Sequence, residues 1–366
     1  MNPCGVTRIE DARREMFERA FVPVAPCAKR RVVPFSRILG QDEAIRTLVR
    51  ALETGRVHHA YRFEGPDGVG KEMAAFALAQ ALVCTAGDKL GCGRCDACRR
   101  AVTLAAERPE VPMHPDVILV ERGLYPASVI GKDEIAQISV EQIRKVVLTH
   151  ASYSPHEGRG RLFIIRRAEE LAGSSSASAA NALLKFLEEP RQGTHFVLLT
   201  SRPDRMLDTI RSRTQKVRFG PLSDVVLQGI LTEKGIARDK HEMAIDLAAG
   251  SASAALALVD TERATGRDEF VAAMMSAMRA PTLGPAVNIA EGFETKDKER
   301  LKEDLRALGA TLARSAKKRI ETEPVGASID ARRFEAVLRA IGYLERNASP
   351  SLAILALVLE LRAAVP

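Results

Sequence analysis

The chain has 366 residues, 46% of them hydrophobic, with 54 basic and 47 acidic side chains and a formal charge of +7. That is enough chain for two or three domains with a substantial core, and too apolar a composition for a disordered one. The basic balance permits nucleic-acid contact without requiring it, since a solvated basic surface carries the same charge.

No apolar run is long enough to span a bilayer, and no apolar segment near the start suits a signal peptide, so a cytoplasmic protein is expected. Alanine and leucine at helical spacing, with 4% aromatics and no tryptophan, predict a largely helical protein around a modest sheet. Residues 1–33 mix charges with prolines and carry Cys4 and Cys27 without near partners. They read as an extension, with a candidate helix over 11–20. From Phe35-Ser36-Arg37-Ile38-Leu39-Gly40-Gln41 the pattern tightens, and Ala44, Leu48, Val49 and Leu52 mark an amphipathic helix with Asp42 as candidate N-cap.

A short strand over 61–64 then meets Gly65-Pro66-Asp67-Gly68-Val69-Gly70-Lys71-Glu72, followed by a helix from Met73 to Val83. Strand, glycine loop and helix in that order let backbone N–H groups and a helix N-terminus cradle phosphate. The G-x-x-x-x-G-K spacing makes Gly65, Gly68, Gly70 and Lys71 nucleotide-binding candidates, with Lys71 reaching the β/γ-phosphates. The next position calls for a Ser or Thr hydroxyl on Mg²⁺. Here it is Glu72, so the loop has the shape of a P-loop with impaired chemistry.

Cys84, Cys92, Cys95 and Cys98 fall in one short segment, with glycines at 91 and 93 for tight turns. Interlocked C-x-x-C pairs in a reduced compartment fit a closed, structural Zn²⁺ site of four thiolates; free thiols or a redox pair are the alternatives. Apolar runs at 117–120, 162–165 and 196–200 and a last strand at 216–219, alternating with helices near 138–147 and 181–189, predict a parallel α/β sheet with its inner strands buried on both faces. Glu64, Arg166 and Thr200 fall at the strands' carboxyl ends, where such sheets bind nucleotides. Beyond Pro221 only helices are expected. Three short ones cover 223–234, 240–249 and 252–259, and longer ones cover 267–279, 296–321, 331–346 and 352–363, punctuated by Pro281, Pro324 and Pro350.

Ile38-Leu39-Gly40-Gln41, His59-Ala60-Tyr61, Gly65-Pro66 with Gly70-Lys71, the four cysteines, Asn181 through Pro190, and Ser212-Arg213-Thr214 together resemble bacterial clamp-loader subunits of the AAA+ ATPase class. The resemblance is specific over about 34–220 and looser beyond. It implies an α/β AAA+ P-loop domain over 34–220 carrying the zinc knuckle, a three-helix lid over 221–262 and an all-α collar for oligomerisation over 263–366.

That family contains ATP-hydrolysing tau/gamma subunits and a non-hydrolysing branch. A motor needs an acidic pair where this chain has Arg166-Arg167, and arginine can neither ligate a cation nor activate water. With Glu72 in the loop, and Ser253 where a sensor arginine is expected, the resemblance implies the non-hydrolysing branch, with ATP binding weak or absent. It makes Arg213 a finger acting in trans on a neighbour's ATP; a surface or capping arginine is the alternative. The partners implied are tau/gamma and delta subunits, the sliding clamp and primed DNA, at a nucleoid-associated replisome. Leu352, Leu355 and Leu359, with Ile354 and Val358 beside them, read as collar contacts or as the core of a self-contained bundle. An active tau/gamma-type or stand-alone ATPase is the rival reading. A zinc-dependent nucleic-acid binder is a third, disfavoured because the cysteines lack interleaved aromatics or a dense basic flank.

Overall fold

A computed structural model describes residues 35–131, 137–172, 177–259, 261–292, 298–346 and 348–363. The extension 1–33, with its candidate helix, lies outside the described residues. Among the described residues five strands form one parallel sheet in the order β2-β3-β4-β1-β5: β1 Ala60–Glu64, β2 Val117–Val120, β3 Arg161–Ile165, β4 Thr194–Thr200 and β5 Gln215–Arg218. The expected α/β class with a following helical region is the one observed.

Apolar runs rather than alternation specify β2, β3 and β4 because helices cover both faces; β1 carries Arg62 within the sheet, and β5, at the edge, buries Val217 alone. Along β3, Leu162 and Ile164 face one core while Phe163 and Ile165 face the other. The first core includes α1 (Asp42–Glu53) and α2 (Lys71–Val83); the second includes α4 (140–151) and α5 (Ala177–Glu188). Helix α4 starts at Val140–Gln142, behind a Ser139 N-cap, and continues through the π-helical stretch Ile143–Leu148 into Thr149–Ala151. Helix α2 is buried on every side between the sheet and α3 (Asp96–Val102), so its sequence shows no polar stripe. Each large apolar side chain buried here contributes about 1.5–3 kcal/mol.

Asp42 is the first helical residue and not the cap of α1. Gln41 holds the cap position, and its side chain is used elsewhere: its amide donates to the Val69 and Gly220 carbonyls and accepts from the Gly220 N–H. That side chain ties the glycine loop to the segment after β5.

Helices α6 (Asp224–Glu233), α7 (His241–Ala248) and α8 (Ala252–Val259) pack Leu227, Leu231, Ala248 and Ala255 into the first core. A third core, around Phe270, Met274, Leu305, Val337 and Ile354, is built from α9 (Thr261–Arg279), α10 (Gly284–Glu291), α11 (Lys298–Arg319), α12 (Pro324–Glu345) and α13 (Pro350–Ala363). Arg267 of α9 donates to the Ala257 and Leu258 carbonyls at the end of α8, meeting the negative end of that helix. The helix α10 is not expected from its Gly284-Pro285 start. Pro324 opens α12 at the first turn instead of separating two helices.

Candidate functional site

The glycine loop leaves the carboxyl end of β1 and enters α2, with β4 and β5 on either side. Gly65 is required sterically: its φ is +151°, and a Cβ there would lie 2.0 Å from the Phe219 carbonyl oxygen. Gly68, at φ +74°, lies under the start of α8. A Cβ there would come 2.0 Å from Ser253 Oγ and 2.4 Å from Ser251 Oγ, and the Ala252 N–H donates to the Gly68 carbonyl.

Lys71 is buried and folded back on its own loop. Its Nζ donates to the Gly65 and Pro66 carbonyls at 2.5 Å each and lies 3.5 Å from Asp67 Oδ1. Burial pulls its pKa below the usual lysine value, with Asp67 and Glu169 opposing the shift.

The loop spacing puts Glu72 where a hydroxyl on Mg²⁺ belongs, a negative charge beside the phosphate cradle. In the structure that carboxylate is engaged by Arg166, Oε1 to Nη2 at 2.5 Å, while Arg166 Nη1 meets Glu121 Oε2 at 2.7 Å. Burial opposes the charge on Arg166, yet the two carboxylates hold its pKa above the ordinary value. The loop position that would offer Mg²⁺ a hydroxyl and the strand-end position that would offer it a carboxylate are therefore bonded to each other. These residues do not fit a Mg²⁺ ion. Arg167 is left half-exposed beside Glu170 at 3.8 Å. One oxygen of Glu169, Oε2, is buried without a hydrogen-bond partner. Neither Glu121 as a partner of Arg166 nor the pairing itself is signalled by local sequence, since 45 and 94 residues separate the partners.

Arg213 lies away from this loop, after the single helical turn Asp208–Arg211. Its guanidinium donates to the Thr209 carbonyl at 2.9 Å and pairs with Glu188 at 2.6 Å, beside a cleft of about 480 Å³ that also takes in His58, His59 and Ser212. Arg62, within the sheet, donates to the Arg211 carbonyl and to Thr214 Oγ1, which anchors the backbone on both sides of Arg213. His59 and Glu188 stand in motifs visible in the sequence, but their convergence on Arg213 follows only from β1 lying between β4 and β5, whose preceding segments carry Glu188 and Arg213.

The four cysteine sulfurs lie within 4.8 Å of one another, so the group could hold a metal ion. Backbone N–H groups of Arg94 and Cys95 point at Cys92 Sγ, and that of Cys98 points at Cys95 Sγ, a pattern that favours thiolate. Burial pushes the Cys95 pKa up, but the bonds it receives from Cys98 and Thr85 bring it down to about 6. Burial pushes Cys98 up, away from thiolate. Four sulfurs that close together fit Zn²⁺, which when bound would fix this loop as a structural ion.

A family model described as "DNA polymerase III, delta subunit" matches residues 40–223, half of the chain, including the loop, the cysteines and Arg213. The chain belongs to this family. Among relatives of the DNA polymerase III delta subunit family, the subunit delta' of Bacillus subtilis is 36% identical over 54% of this chain and 52% of its own length. The subunit tau of Escherichia coli is 32% identical over 67% of this chain and 35% of its own. The chain thus spans about half the length of the first and about a third of the second. A DNA polymerase III gamma subunit-related protein of Thermotoga maritima has a solved structure that covers 88% of this chain and 99% of that one, at 16% identity and a TM-score of 0.46.

Proposed function

We propose that this chain is a non-hydrolysing clamp-loader subunit of the delta-prime type, which joins tau/gamma and delta subunits in a ring that loads the sliding clamp on primed DNA. On this reading 34–220 is the P-loop domain, 221–262 the lid, 263–366 the collar and 1–33 an extension, with Cys84, Cys92, Cys95 and Cys98 holding structural zinc. The observation that carries it is the Glu72–Arg166–Glu121 cluster, since a catalytic P-loop needs a divalent cation between β- and γ-phosphates and this one offers it a guanidinium. ATP binding would be weak or absent, because Lys71 is engaged by its own loop and the metal bridge is missing.

Arg213 would act on a nucleotide held by a neighbouring subunit. Its guanidinium would leave Glu188 to meet charge developing on the transferring phosphoryl group. Such fingers change phosphoryl transfer by about 10³–10⁵-fold. In a ring with several ATP sites one lost finger disables one site. A loader carrying Arg213→Ala should therefore assemble, lose part of its DNA-stimulated ATPase, and lose clamp loading more severely. Arg213→Lys should not rescue it, because lysine keeps the charge without the planar fork. Normal clamp loading by an assembled Arg213→Ala ring would remove the finger role.

A second reading, an active tau/gamma-type or stand-alone ATPase, draws on the 32% identity to the E. coli tau subunit and on Glu169 Oε2 as an unused carboxylate oxygen. The purified chain with primed DNA and Mg²⁺ separates the two. Hydrolysis at background is expected; Mg²⁺-dependent turnover abolished by Lys71→Ala would establish the ATPase.

A further inference from the structure

The phosphate loop and the end of β3 have changed together, and in opposite senses of charge. Where a magnesium-binding P-loop has a neutral hydroxyl after its lysine, this chain has the carboxylate of Glu72. Where it has a carboxylate at the end of the strand, this chain has the guanidinium of Arg166. Two unrelated losses would leave two independently solvated side chains. Instead the two groups meet at 2.5 Å, and Glu121, at the end of the neighbouring β2, takes the other arm of the same guanidinium at 2.7 Å. One planar fork thereby joins the first turn of α2 to the ends of β2 and β3.

We infer that Arg166 is a built-in cation at the metal position of this loop, and that its bond to Glu72 is what closes the loop to magnesium-nucleotide. The inference deepens the non-hydrolysing reading and rests on it. Three contacts maintain the closed form. The Lys71 ammonium is satisfied by the Gly65 and Pro66 carbonyls, the hydroxyls of Ser251 and Ser253 sit over Gly68, and Arg166 holds Glu72 from the side of the sheet. The first two are made by groups that a bound phosphate can displace, a flexible amine and two neutral hydroxyls. The third is a charge-assisted pair between the first turn of α2 and the turn that follows β3, and displacing it would leave Arg166 with Glu121 alone.

Neither half of the pair can be repaired alone. Glu72→Thr restores the hydroxyl and leaves a guanidinium facing any incoming cation. Arg166→Asp gathers three carboxylates, at 72, 121 and 166, which would attract a divalent ion while repelling phosphate. Only the double change returns both metal-binding groups.

The test is anisotropy of an N-methylanthraniloyl-ATP probe titrated with the full zinc-loaded chain, with Mg²⁺ or with EDTA. The Glu72→Thr/Arg166→Asp double variant should bind at least about tenfold more tightly than the wild type, only with Mg²⁺, while each single variant stays near the wild type. A double variant no tighter than wild type overturns the inference, as does tight Mg²⁺-dependent binding by the wild type. Thermal unfolding of a charge-swapped Glu72→Arg/Arg166→Glu chain covers the case in which the double variant does not fold. Its midpoint should lie above that of the Arg166→Glu single reversal and short of the wild type, because the carboxylate placed at 166 then faces Glu121, while both single reversals fall by several degrees; single reversals that cost nothing, or a swap no more stable than Arg166→Glu, count against the bond. ATP turnover by the same wild-type sample is recorded alongside. Turnover there sinks the non-hydrolysing reading, whereas a silent wild type with an unresponsive double variant sinks only the role given to Arg166.

Discussion

Asp116, at the foot of β2, is the most heavily bonded carboxylate of the P-loop region. Its side chain is fully buried, yet it accepts from the backbone N–H groups of His156 and Glu157 at 2.7 Å, from Gly158 at 3.2 Å and from Arg161 Nη2 at 2.9 Å. Burial pushes its pKa up; the three amides and Arg161 outweigh that and hold it below the ordinary carboxylate value. A carboxylate depressed in the folded state stabilises the fold above its unfolded pKa of about 3.9, and that stability is lost as pH falls through the lower folded value. Asp116→Asn should cost about 3–5 kcal/mol at neutral pH, because Arg161 would be left buried beside a neutral amide. Urea unfolding at pH 7 and again below pH 4 checks both statements, since the penalty should shrink on acidification.

Among the elements, α2 and the cysteine knuckle support each other. Gln80 of α2 is buried; its side chain donates to the Cys98 carbonyl at 3.0 Å while its own backbone carbonyl accepts from Cys98 Sγ at 3.5 Å. The helix that begins at the phosphate loop therefore ends at Cys84, the first ligand candidate. One zinc per chain is expected by elemental analysis of protein purified without chelators, and its absence would refute the assignment. Cys95→Ser should release the metal and lower the thermal midpoint by several degrees, with the sheet retained in the far-ultraviolet spectrum.

On the scale of the molecule, the third core is complete without the first two, and the ion pair between Arg202, just past β4, and Glu345, at the end of α12, links it to the P-loop region. Helix α13 buries Ile354, Leu357, Val358 and Leu361, while Leu352 and Leu359 stand 67% and 52% exposed. Those two leucines are seven residues apart, so they share one outward face. On the collar reading they are contacts with another subunit. The Leu352→Asp/Leu359→Asp variant should keep the wild-type melting temperature and fail to enter a reconstituted clamp loader, as judged by size-exclusion chromatography with its partners.

Local rules are enough for much of this chain. Hydrophobic runs bounded by turns predict β2, β3 and β4, because a strand covered on both faces must be apolar throughout, whereas β1 is read from the glycine loop that follows it and the edge strand β5 buries only Val217. Loop spacing locates the phosphate cradle, and the C-x-x-C pairs locate the thiol cluster, because each is a short-range geometry written within about fifteen residues. What the sequence could not disclose was pairing across distance. Glu72 reads as a charge aimed at phosphate, and only the placement of β2 and β3 beside α2 supplies the guanidinium that claims it. Arg213 reads as a finger or a surface arginine with no partner in its own chain, and only the placement of β1 between β4 and β5 brings His59 and Glu188 to it. The sequence by itself determined the strands and most of the helices, though not α3 or α10, since those it determined follow from neighbours along the chain. Tertiary structure alone decided which charges compensate one another, because Coulomb pairing depends on distance in space, and the fold sets that distance.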